Sequence, residues 1–140
     1  MITDAQNLFS SAQDLSATGA STNYIDLSQD RDIGVGEPLN VVLTINVAAD
    51  FTTGDETYAV AIQTDDNTSF SSATNLLSYT FTAADRAAGA QIVLPFPHTN
   101  ERYVRLNYTL GGTTPSVTLT AALVETAQEN RNFASGYTIN

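Results

Sequence analysis

Four stretches of this chain repeat with a period of two, and that feature constrains the fold more than any other. In "NVVLTINV", residues 40–47, Val41, Leu43, Ile45 and Val47 share one face, and Val42, Thr44 and Asn46 share the other. In "TYAVAIQT", residues 57–64, Tyr58, Val60 and Ile62 alternate with Thr57, Ala59, Ala61 and Gln63. "SVTLTAALV", residues 116–124, alternates Val117, Leu119 and Ala121 against Thr118, Thr120 and Ala122. "ERYVRLNYTL", residues 101–110, sets Arg102, Val104, Leu106 and Tyr108 against Glu101, Tyr103, Arg105, Asn107 and Thr109. Successive side chains of an extended strand point to opposite faces, so such runs fit strands half-buried on one side. Thr, Val, Ile and Tyr, which fill them, suit a pleated surface.

Turn signals fall between the runs at sandwich spacing. They include "IGVGEP", "ADFTTGDE", "DDNTSFSS" and "LGGTTP". The pattern predicts about eight strands, near residues 5–11, 22–27, 39–48, 57–64, 75–82, 90–96, 101–110 and 116–124. One segment reads as helical, "TAADRAAGA" at residues 82–90, with its end at Gly89. The expected fold is all-β: a jelly-roll β-sandwich of about eight antiparallel strands, with an immunoglobulin-like sandwich as the runner-up. The expected organisation is one sandwich domain over residues 1–125 and an extended polar C-terminal arm over 126–140. This segment, "TAQENRNFASGYTIN", loses the period and keeps Phe133, Tyr137 and Ile139 as isolated apolar residues, which fits either a frayed tail or an arm that orders on a partner with these residues as anchors.

At 140 residues the chain is long enough for one core without staples. It has no Cys, which excludes disulfides and thiolate metal sites, and one His, which makes a His-based zinc site implausible. Its net charge is −10, with fifteen carboxylates against five Arg and no Lys. A nucleic-acid binder needs a basic face to neutralise phosphates, and an anionic membrane repels such a chain. Neither partner is expected. The start of the chain carries Asp4 where a signal peptide would be basic, and "LNVVLTINVAA" is too short and polar to span a bilayer. Synthesis in the cytoplasm without export is expected.

The scarce cations gather: His98, Arg102 and Arg105 all lie in "PHTNERYVRLNYTLGG", residues 97–112. A regular strand would send Arg102 to the core rim, beside a local carboxylate, and Arg105 to the opposite, exposed face. Arg105 is expected either to pair with a carboxylate of a neighbouring strand or to offer a bidentate fork to a partner. His98 follows "LPFP" without a nucleophile signature nearby, so no catalytic role is assigned to it or to any other residue. Asp65, Asp66 and Asn67 lack the alternate spacing of a calcium loop and are expected to cap a turn. Gly34 and Gly36 are expected to permit a bend. No cofactor is expected. A glycan-binding or host-adhesion module is the alternative class for a small sandwich; it lacks Trp platforms, and Tyr58, Tyr103 and Tyr108 fit strand patterns.

Taken in order, "MITDAQNLFSSAQDLSATGASTNYIDLSQDRDIGVGEPL", "QTDDNTSFSSATNL" and "LPFPHTNERYVRLNYTLGG" carry a family likeness. The series resembles the capsid cement, or decoration, proteins of short-tailed phages, of the kind found in a Bordetella phage. The resemblance implies a jelly-roll protein on the outer surface of an icosahedral head in the virion. It implies a homodimer that staples neighbouring major capsid proteins of HK97-like fold, without enzymatic activity. Partner contacts are expected at Arg105 and, on the arm, at Arg131, Phe133, Tyr137 and Ile139, together with loops at one end of the sandwich.

Overall fold

The computed structural model of the chain describes residues 4–28 and 38–127. Among the described residues nine strands run in order: β1 (Leu8–Leu15), β2 (Gly19–Ala20), β3 (Ile25–Asp26), β4 (Asn40–Val47), β5 (Thr57–Asp65), β6 (Thr74–Thr80), β7 (Gln91–Pro95), β8 (Tyr103–Gly111) and β9 (Val117–Val124). One sheet has the order β1-β9-β4-β7; the other has β2-β8-β5-β6, with β3 also on β8. Every pairing is antiparallel.

With β2 and β3 counted as one broken strand, the strands pair first with last, second with seventh, third with sixth and fourth with fifth. Wrapping one long hairpin into two sheets produces this nesting, and it makes the sandwich a jelly roll. An immunoglobulin-like order is excluded.

The alternation places the core. Val41, Leu43 and Ile45 of β4 and Val117, Leu119 and Ala121 of β9 face Tyr58, Val60 and Ile62 of β5 and Val104, Leu106 and Tyr108 of β8. Their side chains fill the space between two inner faces, the usual core of packed sheets. All four runs singled out in the sequence supply this core.

Three local differences from the sequence reading have visible causes. The first strand was expected over residues 5–11, but Ala5–Asn7 form a 3₁₀ turn and β1 starts at Leu8. Asp4 caps that turn, its carboxylate accepting the Gln6 N–H at 2.9 Å. The single strand expected at 22–27 is split into β2 and β3. Between them the Ser21 N–H still donates to the Leu106 carbonyl (2.8 Å), but the Leu106 N–H returns to the Ser21 hydroxyl (3.1 Å), which donates to the Asn23 carbonyl (2.7 Å), so a side-chain bond takes the place of one ladder bond. The helix expected at 82–90 is one 3₁₀ turn, Ala84–Arg86. Asp85 holds it by accepting from the Thr82 N–H and hydroxyl and from the Tyr79 phenol, each at 2.7 Å. A segment this short lacks the length for cooperative helix formation.

Candidate functional site

The strongest constellation lies on the outer face of the β2-β8-β5-β6 sheet, at the end where β8 begins. Val104 and Leu106 are fully buried, so alternation turns Tyr103 and Arg105 outward. On β5, Gln63 stands opposite Arg105, and Asp65 stands opposite Tyr103. Asp26 of β3 stands opposite Tyr103 on its other side. Tyr24, just before β3, is 47 % exposed.

Loop 66–73 adds the remaining ring. Asp65 is buried, and its carboxylate accepts the Asn67 N–H at 3.2 Å and the Ser72 N–H at 2.9 Å. Burial raises its pKa, but these backbone bonds outweigh burial and hold the carboxyl below its ordinary value. Thus the predicted turn-capping role of Asp65 and Asn67 holds. The closed loop brings Phe70, at φ +51°, against the sheet-face residues with only 7 % exposure. A positive φ is uncommon for an aromatic residue.

The rings then meet. Tyr24 lies edge-on to Tyr103 with centroids 5.6 Å apart, and 6.2 Å from Phe70. The Arg105 guanidinium sits 4.3 Å above the Phe70 ring, and that of Arg102 sits 5.0 Å from the Tyr103 ring. Both distances suit cation–π attraction. Arg102 also grips Asp26 with two bonds, Nε to Oδ1 at 2.8 Å and Nη2 to Oδ2 at 2.9 Å. That guanidinium, and then the Ser28 N–H, hold the Asp26 carboxyl below its ordinary value.

Two expectations need correction here. The two arginines were expected on opposite sides of the sheet. Strand β8 starts only at Tyr103, so Arg102 is free of the alternation and swings over the Tyr103 ring, into the same patch as Arg105. The local carboxylate expected for Arg102 is Asp26. Arg105 was expected to pair across strands with a carboxylate or to meet a partner. Across the strands it meets a neutral group: its Nε–H donates to Gln63 Oε1 at 2.9 Å. No described carboxylate forms an ion pair with it.

His98 is exposed in the β7–β8 connection. Arg131, Phe133, Tyr137 and Ile139, with Gly34 and Gly36, lie outside the described residues. Sequence reasoning missed Tyr24, Phe70 and Gln63. Only the alternation of β5 could have flagged Gln63, as a residue of the outer face. Among the described residues no three His, Cys, Asp or Glu side chains gather to hold a metal, and no helix is long and apolar enough to cross a membrane. The patch offers ring faces and guanidinium edges, groups that bind by stacking and charge-assisted hydrogen bonds.

The Bbp16 family model matches residues 9–128, from β1 to beyond β9. The chain belongs to the Bbp16 family. That name points to a Bordetella phage protein, and the match takes in both sheets and the whole aromatic–arginine patch. No curated protein matches the chain.

Proposed function

We propose that this Bbp16 family member is a capsid cement protein. It binds the outer surface of a phage head and staples neighbouring major capsid proteins of HK97-like fold. The single observation that carries the reading is the phage-family match across the entire jelly roll. The resemblance of the chain's segments to cement proteins of short-tailed phages supports it independently of the fold.

The physical character of the chain agrees with this role. A net charge of −10 without Lys suits a protein placed on the far side of the shell from the genome. Interfaces draw their anchors from Tyr, Phe and Arg, the residue types of the patch and of the arm. In this reading the protein works as a homodimer, without cofactor or catalytic activity. Repetition over an icosahedral surface lets individually weak contacts add up. The arm residues Arg131, Phe133, Tyr137 and Ile139 contribute shell contacts in addition to the sandwich.

The test is co-sedimentation of purified protein with expanded heads that lack it, scored by stoichiometry and by survival of the heads on heating. Saturable binding in a fixed ratio to the capsid subunit, with more heat-resistant heads, is expected. Truncation at Thr126 is expected to weaken binding without unfolding the sandwich. Folded protein that ignores the heads refutes the cement role and directs attention to glycan arrays.

A further inference from the structure

Arg105 differs from Arg102 in what it does with its charge. Arg102 is already engaged by the Asp26 carboxylate through two hydrogen bonds. Arg105 is half-buried, stacked on the Phe70 ring at 4.3 Å, and bonded through Nε to the uncharged Gln63 at 2.9 Å. Gln63 is itself fixed, because its amide nitrogen donates to Asn75 Oδ1 at 2.8 Å. This donation turns the Gln63 carbonyl oxygen toward Arg105. Ring, amide and Asn75 together hold the guanidinium plane in one orientation. The Nη1 and Nη2 edge is left with no carboxylate among the described residues.

The identity of residue 63 is informative. Arg105 and Gln63 are direct cross-strand partners, the position where an opposite charge would pair. Glu has nearly the shape of Gln and would neutralise Arg105 from within the chain. In a chain with fifteen carboxylates, the position opposite Arg105 is instead uncharged. Among the described residues the cation is therefore oriented without a carboxylate against it.

We infer that Arg105 is a preorganised receptor for a carboxylate side chain of the shell protein, with the Tyr24 ring as the adjoining apolar contact. The end-on fork of Arg matches the two oxygens of a carboxylate. Its stack and its amide bond remove the rotamer entropy that weakens most surface ion pairs. Charge complementarity selects the occupant: a cation with no carboxylate against it among the described residues fits an acidic side chain. This inference rests on the cement reading and adds the chemistry of one contact to it.

The experiment compares wild type with Gln63→Glu, Arg105→Gln and Arg105→Lys for binding to heads lacking the protein. Thermal melting and sedimentation velocity of each free variant accompany it. Gln63→Glu is expected to melt no lower than wild type, yet to bind heads at least about tenfold more weakly, because the new carboxylate occupies the receptor. Arg105→Gln is expected to lose a similar factor, and Arg105→Lys is expected not to restore wild-type binding, since Lys lacks the planar fork. Higher salt should weaken wild-type binding more than that of Gln63→Glu.

Wild type and Gln63→Glu binding heads equally overturns the inference and leaves the cement role standing. Loss of self-association in Gln63→Glu, with unchanged binding per protomer, assigns the carboxylate to a second copy and also overturns it. Wild-type protein that does not bind heads at all overturns the cement reading, and the shell carboxylate with it.

Discussion

The hydroxyls of Ser10 and Tyr108 meet 2.8 Å apart inside the sandwich, one from each sheet. Ser10 uses its own proton on Gln13 Oε1 at 2.6 Å, so the Tyr108 phenol is the donor between the two. Gln13 in turn accepts the Thr22 N–H and donates to the Ala20 carbonyl, each at 3.0 Å. One connected set of bonds thus joins β1, β8 and the β2–β3 break. Burial raises the Tyr108 pKa well above that of an ordinary phenol, which keeps the donor proton in place. Tyr108→Phe leaves the Ser10 oxygen without its donor in a dry site. It is expected to cost about 1–3 kcal/mol. Urea denaturation checks this, with a lower midpoint and an unchanged slope.

Gly112 and Gly89 both have positive φ, +92° and +82°. A Cβ at Gly112 would lie 2.5 Å from the Asp55 carbonyl oxygen, whereas a Cβ at Gly89 would meet nothing within 4 Å. Gly89→Ala is expected to cost about 1–2 kcal/mol, the backbone penalty alone. Gly112→Ala adds a backbone clash and is expected to cost about 3 kcal/mol or more. Equal losses in thermal melting would contradict this.

Leu106 is fully buried in the middle of β8, and Val93 of β7 is 44 % exposed. Leu106→Ala is expected to destabilise by about 2–5 kcal/mol through lost transfer energy and a residual cavity. Val93→Ala is expected to stay within about 0.5 kcal/mol of wild type. Denaturant titration of both variants compares them directly.

The loops at the end opposite the patch are tied by carboxylates. Asp55 accepts the Thr113 N–H at 3.1 Å and the Thr113 hydroxyl at 3.0 Å, linking the β4–β5 and β8–β9 connections. The Thr113 N–H, followed by the Thr53 hydroxyl, lowers the Asp55 pKa. The Thr53 hydroxyl also lowers that of Glu56, against its burial. Carboxyls with depressed folded-state pKa values stabilise the fold above their unfolded value, about 4. That stability is lost as pH falls through the lower, folded-state values. The melting temperature is therefore expected to be level from about pH 7 to 5 and to fall below about pH 4. Asp55→Asn should reduce the steepness of this fall. A melting temperature that rises toward pH 3 would contradict the assignment.

The candidate site was only partly legible from the residues. Alternation in "ERYVRLNYTL" turned Arg105 outward and Leu106 inward, because pleating obeys a strict period of two. Alternation could not follow Arg102, which precedes the strand. Phe70 and Tyr24 are separated by forty-six positions and touch through loop geometry, with Asp65 closing one loop and the Ser21 hydroxyl interrupting the other strand. No local pattern announces such a meeting.

By itself the sequence determined an all-β chain, the inward faces of β4, β5, β8 and β9, and an acidic exterior with few cations. Those follow from local periodicity and from charge, which each residue carries wherever it lies. The nested pairing that makes the sandwich a jelly roll was decided by tertiary structure. So were the Ser10–Tyr108 bond between sheets and the neutral Gln63 opposite Arg105. Strands of like pattern can pair in several orders, and only simultaneous burial of both inner faces, with every central strand hydrogen-bonded on two sides, selects one of them.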